Sequence, residues 1–300
     1  MFYNLRKKIN RNIYDYSVRD IRDCVHISTD ENSNFTLLTQ LCPPDVNMYL
    51  VAVSSFCQFL KPKKIVIVSD RLSDDDLHLL HACIEDLVVV PVAQALHPKL
   101  PTGGCWERLI SVHNFLADSY VVQLDADTIT LKYPQDVADA IKQNRSFTLT
   151  TKMGVDKWTL AETSKRLESV ESEHVQVSIE KAFVEMVDSD TRLYIRGCAG
   201  FAGFARGSTT VQKLVEFSQE AEALVGAEKW FQWGSEQVAS NFVVANSENS
   251  IILPFSLYPY YEPGVDLESP CFLHFIGDYR YEKGKYIALS RKVIGELTAK

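Results

Sequence analysis

No stretch of this 300-residue sequence approaches the roughly 20 consecutive apolar residues that a membrane-spanning helix needs. Signals for cysteine pairing are missing too. Cys24, Cys42, Cys57, Cys83, Cys105, Cys198 and Cys271 are scattered without a C-x-x-C pair, and an odd count cannot pair completely within one chain. A reducing compartment is the simplest expectation. Positive charge is scarce: 31 Lys and Arg stand against 39 Asp and Glu, a formal net charge of −8. That balance argues against a general nucleic-acid binder, which needs a basic surface to release phosphate counterions. Internal repeats and low-complexity linkers are absent, apart from the short echo "AGFAGF". The start, "MFYNLRKKINRNIYDYSVRD", carries Arg6, Lys7, Lys8 and Arg11 with no apolar run behind them, so neither a signal peptide nor an anchor is expected. The expectation is a soluble, cytoplasmic protein whose residues 1–34 form a solvated arm, capable at most of peripheral contact with anionic lipid.

What is present is enough apolar residue, 46%, to bury a substantial core. From position 35 apolar runs alternate with helical patterns. "FTLLTQL", "KKIVIVSD", "LVVVPV" and "YVVQLDAD" read as strands, and the β-branched runs suit strands buried on both faces. Between them, "NMYLVAVSSFCQFL", "SDDDLHLLHACIED" and "GGCWERLISVHNFLAD" read as helices, the second opening on acids that its macrodipole favours. This βαβαβ order predicts an α/β fold with a doubly wound, mostly parallel sheet flanked by helices. "RSFTLTTKM" and "LYIRGCAGFAGFARG" add strands, and the charged segment 155–192 reads as a helical insertion or lid. One compact domain is expected over 35–288, followed by a tail over 289–300.

In such sheets ligands gather at the carboxyl ends of strands. Thr39 and Gln40 end the first expected strand, Asp70 the second, and Asp125, Ala126 and Asp127 the fourth. Alternation along a strand would point Asp125 and Asp127 the same way. Two like charges held so close are favourable once a cation sits between them, and a hard divalent ion prefers carboxylate oxygens.

Two families share these residues. "VVQLDADTITL" resembles the first motif of haloacid-dehalogenase-like phosphatases, which would make Asp125 a nucleophile and Asp127 an acid/base, with "GDYRYE" and its Glu282 imitating their magnesium motif. Those enzymes usually carry the nucleophile on their first strand. More of the chain resembles the metal-dependent glycosyltransferases of the GT-A fold, most closely the family 8 type that uses UDP-sugars. The resemblance runs through "WERLISVHNFLAD", "QLDADT", "CAGFAGF", "WGSEQVASN" and "HFIGDYR", in that order.

This second resemblance implies that Asp125, Asp127 and His274 bind Mn²⁺ or Mg²⁺, and that Arg108, Gly277 and Arg280 approach the donor's phosphates. Arg280 stands where the family usually has lysine, and Lys283 or Lys285 could substitute. Cys198, Ala199 and Gly200 replace a triplet that touches the donor sugar. Glu236 and Gln237 correspond to an acid-amide pair beneath the anomeric carbon. Trp230, Phe231 and Trp233 could floor an acceptor. The implied activity is transfer of a hexose, with retention, from a nucleotide-sugar to a glycan, lipid-linked or protein hydroxyl. A protein that only binds the nucleotide-sugar is the non-catalytic alternative.

Overall fold

The computed structural model describes residues 2–152 and 156–299, apart from the side chains of residues 2–4 and 278. The expected segment edges at 1, 155 and 300, and residue 153 of "RSFTLTTKM", lie outside the described residues. Two helices, α1 (Phe2–Val18) and α2 (Ile21–Cys24), precede the first strand, β1 (Phe35–Gln40). The chain then alternates through α3 (Val46–Cys57), β2 (Lys64–Val68), α4 (Asp74–Cys83), β3 (Leu87–Val90), α5 (Trp106–Phe115) and β4 (Tyr120–Leu124). Next come β5 (Thr128–Thr130), α6 (Gln135–Lys142) and β6 (Phe147–Thr150). The segment expected as an insertion holds β7 (Lys157–Thr159), α7 (Leu160–Leu167) and α8 (Val175–Ala182), and β8 (Leu193–Ile195) returns from it. The remainder is β9 (Gly197–Phe204), α9 (Val211–Val225), α10 (Ala227–Trp230), α11 (Ser235–Ala245), β10 (Ile251–Leu253), β11 (Phe272–His274) and α12 (Lys285–Thr298). Among the described residues no helix is long and apolar enough to cross a membrane.

Seven strands form the central sheet in the order β10-β6-β9-β4-β1-β2-β3. Pairing is parallel throughout, except that β9 runs antiparallel to both β4 and β6. The expected doubly wound, mostly parallel architecture is thus observed. Alternation divides each strand between two cores. Leu37, Ile65, Ile67, Val122 and Leu124 face the core beneath α3, α6 and α12, whereas Leu38, Val66, Val68 and Val121 face the core beneath α5, α9 and α11. The helix predicted to open on acids has a capping box: Ser73 accepts from the Asp76 backbone N–H and the Asp76 carboxylate returns the bond.

Three expectations need correction. Residues 1–34 are not a solvated arm: Tyr14, Val18 and Ile21 are buried, because α1 packs against α3 and α12. The supposed tail is most of helix α12, whose Tyr286 ring stacks on Tyr14 at 4.5 Å and whose Ser290 shares a hydrogen bond with the Tyr14 hydroxyl at 3.0 Å. An aromatic pair and a satisfied hydroxyl explain why α1 and α12 pack together. Finally, Asp125 and Asp127 do not lie on a strand. β4 ends at Leu124, and the pair occupies the turn between β4 and β5, so strand alternation is not what brings them together.

Candidate active site

Backbone hydrogen bonds to β9 and from the residue that follows β11 hold that turn. The Asp125 N–H donates to the Gly200 carbonyl at 2.8 Å, and the Phe275 N–H donates to the Asp127 carbonyl at 2.8 Å. Because β9 is antiparallel, its opening residues Cys198, Ala199 and Gly200 lie at the same sheet edge as the end of β4. A separate two-stranded ribbon pairs β5 with β11 and sets His274 opposite Thr128. The far end of the chain therefore meets the aspartate pair.

Asp125, Asp127 and His274 each offer a ligand atom, and these atoms all lie within 4.8 Å of one another. His274 Nε2 is 3.7 Å from Asp125 Oδ2 and 3.2 Å from Asp127 Oδ1. The other two oxygens are taken: Asp125 Oδ1 accepts from Arg108 Nη1, and Asp127 Oδ2 pairs with Arg280 Nη2 at 2.6 Å. Each guanidinium thus grips an outer oxygen and leaves the inner one facing the imidazole. On the other side of the ring, His274 Nδ1 lies 3.5 Å from Cys198 Sγ, which fixes the ring's orientation. Gly200 makes room for the ring, since a Cβ there would stand 2.0 Å from His274 Cε1. A buried imidazole and two carboxylates, each steered by a partner behind it, suit a divalent cation.

Charge is nearly balanced without one. Arg108, which is buried, also reaches Glu236 Oε2 at 3.2 Å. Burial works against the charge on Asp127, yet Arg280 and His274 outweigh it and bring the carboxyl down to about 2. Asp125 moves upward, because burial and the neighbouring Asp127 outweigh Arg108. Burial pushes Glu236 up to about 7 against the pull of Arg108. His274 is raised: burial disfavours the charged ring, but Asp127 and Cys198 reverse the balance.

These residues line one cleft of about 650 Å³, together with Cys198, Ala199, Gly200, Gln237, Gly277 and Trp233. Gly277 adopts φ +58°, a left-handed conformation that glycine takes at no steric cost. Gln237 is fixed at both ends of its amide: Oε1 accepts from the Ala199 N–H at 3.3 Å, and Nε2 donates to Gln176 Oε1 at 3.1 Å. Gln176 in turn donates to Glu180, which pairs with Arg196 at 3.0 Å. The segment read as an insertion thus supplies the support for Gln237, and its His174 also lines the cleft.

Sequence reasoning missed His174, Cys105, Tyr260 and Lys7 as cleft components, and Gln176 as the support behind Gln237. Cys105 stands at φ +74° just before α5, an uncommon conformation for a side chain with a Cβ. Lys7 was visible only as part of a basic start; the packing of α1 brings it to the cleft. No carboxylate among the described residues forms an ion pair with it.

Several expected residues lie elsewhere. Thr39 is buried and donates to the Leu124 carbonyl at 2.7 Å, tying β1 to β4. Gln40 accepts from the Arg108 N–H at 3.2 Å and positions α5 from outside the cleft. Asp70 accepts from the Val92 N–H at 2.5 Å. Ala126 packs against the core. Lys283 and Lys285 are exposed outside the cleft, and so is Phe231, while Trp230 is fully buried between Trp106 and Phe217. Among the described side chains the cleft's acids are Asp125, Asp127 and Glu236; Glu282, which the phosphatase reading requires, is not among them.

No protein-family model and no curated protein matches the chain. Solved structures do. The galactosyltransferase LgtC, in complex with donor and acceptor sugar analogues, superposes with a TM-score of 0.50 at 11% identity, over 88% of this chain and 96% of that one. An active-site mutant of LgtC gives 0.51 at 10%, over 86% and 95%. The apo glycosyltransferase GlyE of Streptococcus pneumoniae TIGR4 gives 0.50 at 11%, over 89% of this chain and 64% of that one. The chain therefore spans nearly all of LgtC and less than two thirds of GlyE. Its fold is that of the GT-A glycosyltransferases.

Proposed function

We propose that the protein is a metal-dependent glycosyltransferase that moves a hexose from a nucleotide-sugar, UDP-linked, to an acceptor hydroxyl with retention of configuration. The observation that carries this reading is the convergence of Asp125 Oδ2, Asp127 Oδ1 and His274 Nε2 at the mouth of a GT-A cleft. Mn²⁺ suits a set that mixes carboxylate with imidazole better than Mg²⁺, which favours oxygen alone. Such an ion would supply positive charge to both phosphates of the departing nucleotide.

The chain's own residues do the rest. Arg108 and Arg280 orient the two carboxylates and keep their inner oxygens turned toward His274. Lys7, which forms no ion pair among the described residues, is a cation free to meet a phosphate oxygen, the task that the family usually gives to a lysine near the position of Arg280. Gln237, clamped by Ala199 and Gln176, stabilises the positive charge that develops on the sugar carbon. Trp233, exposed at the rim beside His174, offers an aromatic face to an acceptor sugar. Glu236 could instead act as a general base for inversion, given its pKa of about 7. The anomeric proton of the product, read by NMR, separates the two outcomes.

The test is a thermal-shift series with UDP and UDP-sugars, with and without Mn²⁺. A ligand that binds only the folded state raises its melting temperature. Stabilisation that requires nucleotide and metal together, followed by slow hydrolysis of a UDP-sugar, is the expected result. No shift with any nucleotide-sugar, or a shift indifferent to metal, would overturn the reading.

A further inference from the structure

We infer that helix α1 docks this protein onto an anionic lipid surface. Its inner face is already satisfied, with Tyr14 and Val18 buried and Lys7 turned to the cleft. A helix so placed normally shows a polar outer face. This one shows Leu5, Ile9, Ile13 and Tyr16, which are 56%, 48%, 51% and 70% exposed. At about 100° per residue the four fall in one stripe opposite Tyr14. Twelve large hydrophobic residues are exposed among the described residues, and the other eight are spread over the rest of the chain. The stripe is a local concentration that exposure of single apolar residues does not explain.

Charge selects the partner. Arg6 and Lys8 flank the stripe on either side, and Arg19 lies over the Tyr16 ring at 3.9 Å. Against a net charge of −8 for the whole chain, α1 sets Arg6, Lys7, Lys8 and Arg11 against the single acid Asp15. An apolar stripe with a basic fringe fits the headgroup boundary of an anionic bilayer, where both terms act together. A second copy of the chain fits less well, since a two-fold pairing would bring like-charged fringes face to face. Because Lys7 projects from the other side of the same helix, docking would hold the cleft about one helix diameter, ~10–12 Å, from the lipid headgroups.

The test uses the whole 300-residue chain and does not depend on the transferase reading. Co-sedimentation is measured with phosphatidylcholine vesicles and with vesicles containing about one third phosphatidylglycerol. Binding to the anionic vesicles alone, weakened by salt and reduced at least about tenfold in Ile9→Ser/Ile13→Ser and in Arg6→Gln/Lys8→Gln, is expected. All four positions are exposed, so the melting temperature and any metal-dependent nucleotide shift should stay as in the parent. Failure to bind anionic vesicles, unchanged binding by both variants, or a stripe-dependent dimer seen by light scattering would each overturn the inference.

Discussion

His274 Nε2 lies 3.2 Å from Asp127 Oδ1 although the two residues are 147 positions apart. The β5–β11 ribbon creates this contact, and Gly200 permits it. Removing either member should therefore disable the site while leaving the sheet intact. In Asp127→Ala and in His274→Gln we expect the Mn²⁺-dependent shift with UDP to vanish and transfer to fall by at least about 100-fold. Circular dichroism should remain that of the parent. Turnover preserved in Asp127→Ala would contradict the assignment.

Gly200→Ala tests the cradle behind the imidazole. The added Cβ cannot share space with His274 Cε1, so the ring must leave its place between Cys198 and the aspartates. Overpacking of this kind costs about 1–3 kcal/mol. Chemical denaturation should show a loss of that order, and calorimetry should show Mn²⁺ binding weakened far more than the stability change predicts.

Gln176→Leu probes the support beneath Gln237. It removes the acceptor for Gln237 Nε2 and a donor to buried Glu180, without touching the cleft's acids. We expect kcat to drop by roughly 10-fold with KM for the nucleotide-sugar little changed, since a loosened amide harms the transition state more than donor binding. A KM effect with normal kcat would place Gln237 in donor binding instead.

A pH dependence follows from His113, away from the site. Its Nδ1 donates to the Leu109 carbonyl at 2.8 Å, its buried Nε2 has no hydrogen-bond partner among the described residues, and burial lowers its pKa to about 4. The folded state keeps this ring neutral, while the unfolded chain protonates it near 6.5. Between those values the unfolded state binds more protons, so stability falls as pH falls. By pH 5 the difference amounts to roughly 2 kcal/mol, at about 1.4 kcal/mol per unit. Urea titrations at pH 7.5 and pH 5 should show this loss in the parent and a smaller one in His113→Leu.

Much of the fold was legible because its strands are buried on both faces and read as unbroken β-branched runs, and because Ser73 and its acids announce a helix. The aspartate pair and His274 were legible through their flanking apolar sequence and family resemblance. What the sequence withheld depends on distant packing. Lys7 reaches the cleft only because Tyr14 finds Tyr286, and Gln176 matters only because α8 comes to rest beside α11. Thr39 and Asp70 sit where a strand-end rule expects ligands, but their oxygens are spent on the Leu124 carbonyl and the Val92 N–H. Position along a strand does not reveal which way a side chain is already engaged.

The pairing of α1 with α12 also bears on how the protein is made. Tyr14 leaves the ribosome 276 residues ahead of Ser290, its hydrogen-bond partner, a delay on the order of tens of seconds during translation. A lone 17-residue helix is marginal in water, and over that interval α1 has α3 to pack against but not α12. Helix α1 is thus fully secured only long after it is made, and a chain released before residue 286 would lack the ring that stacks on Tyr14.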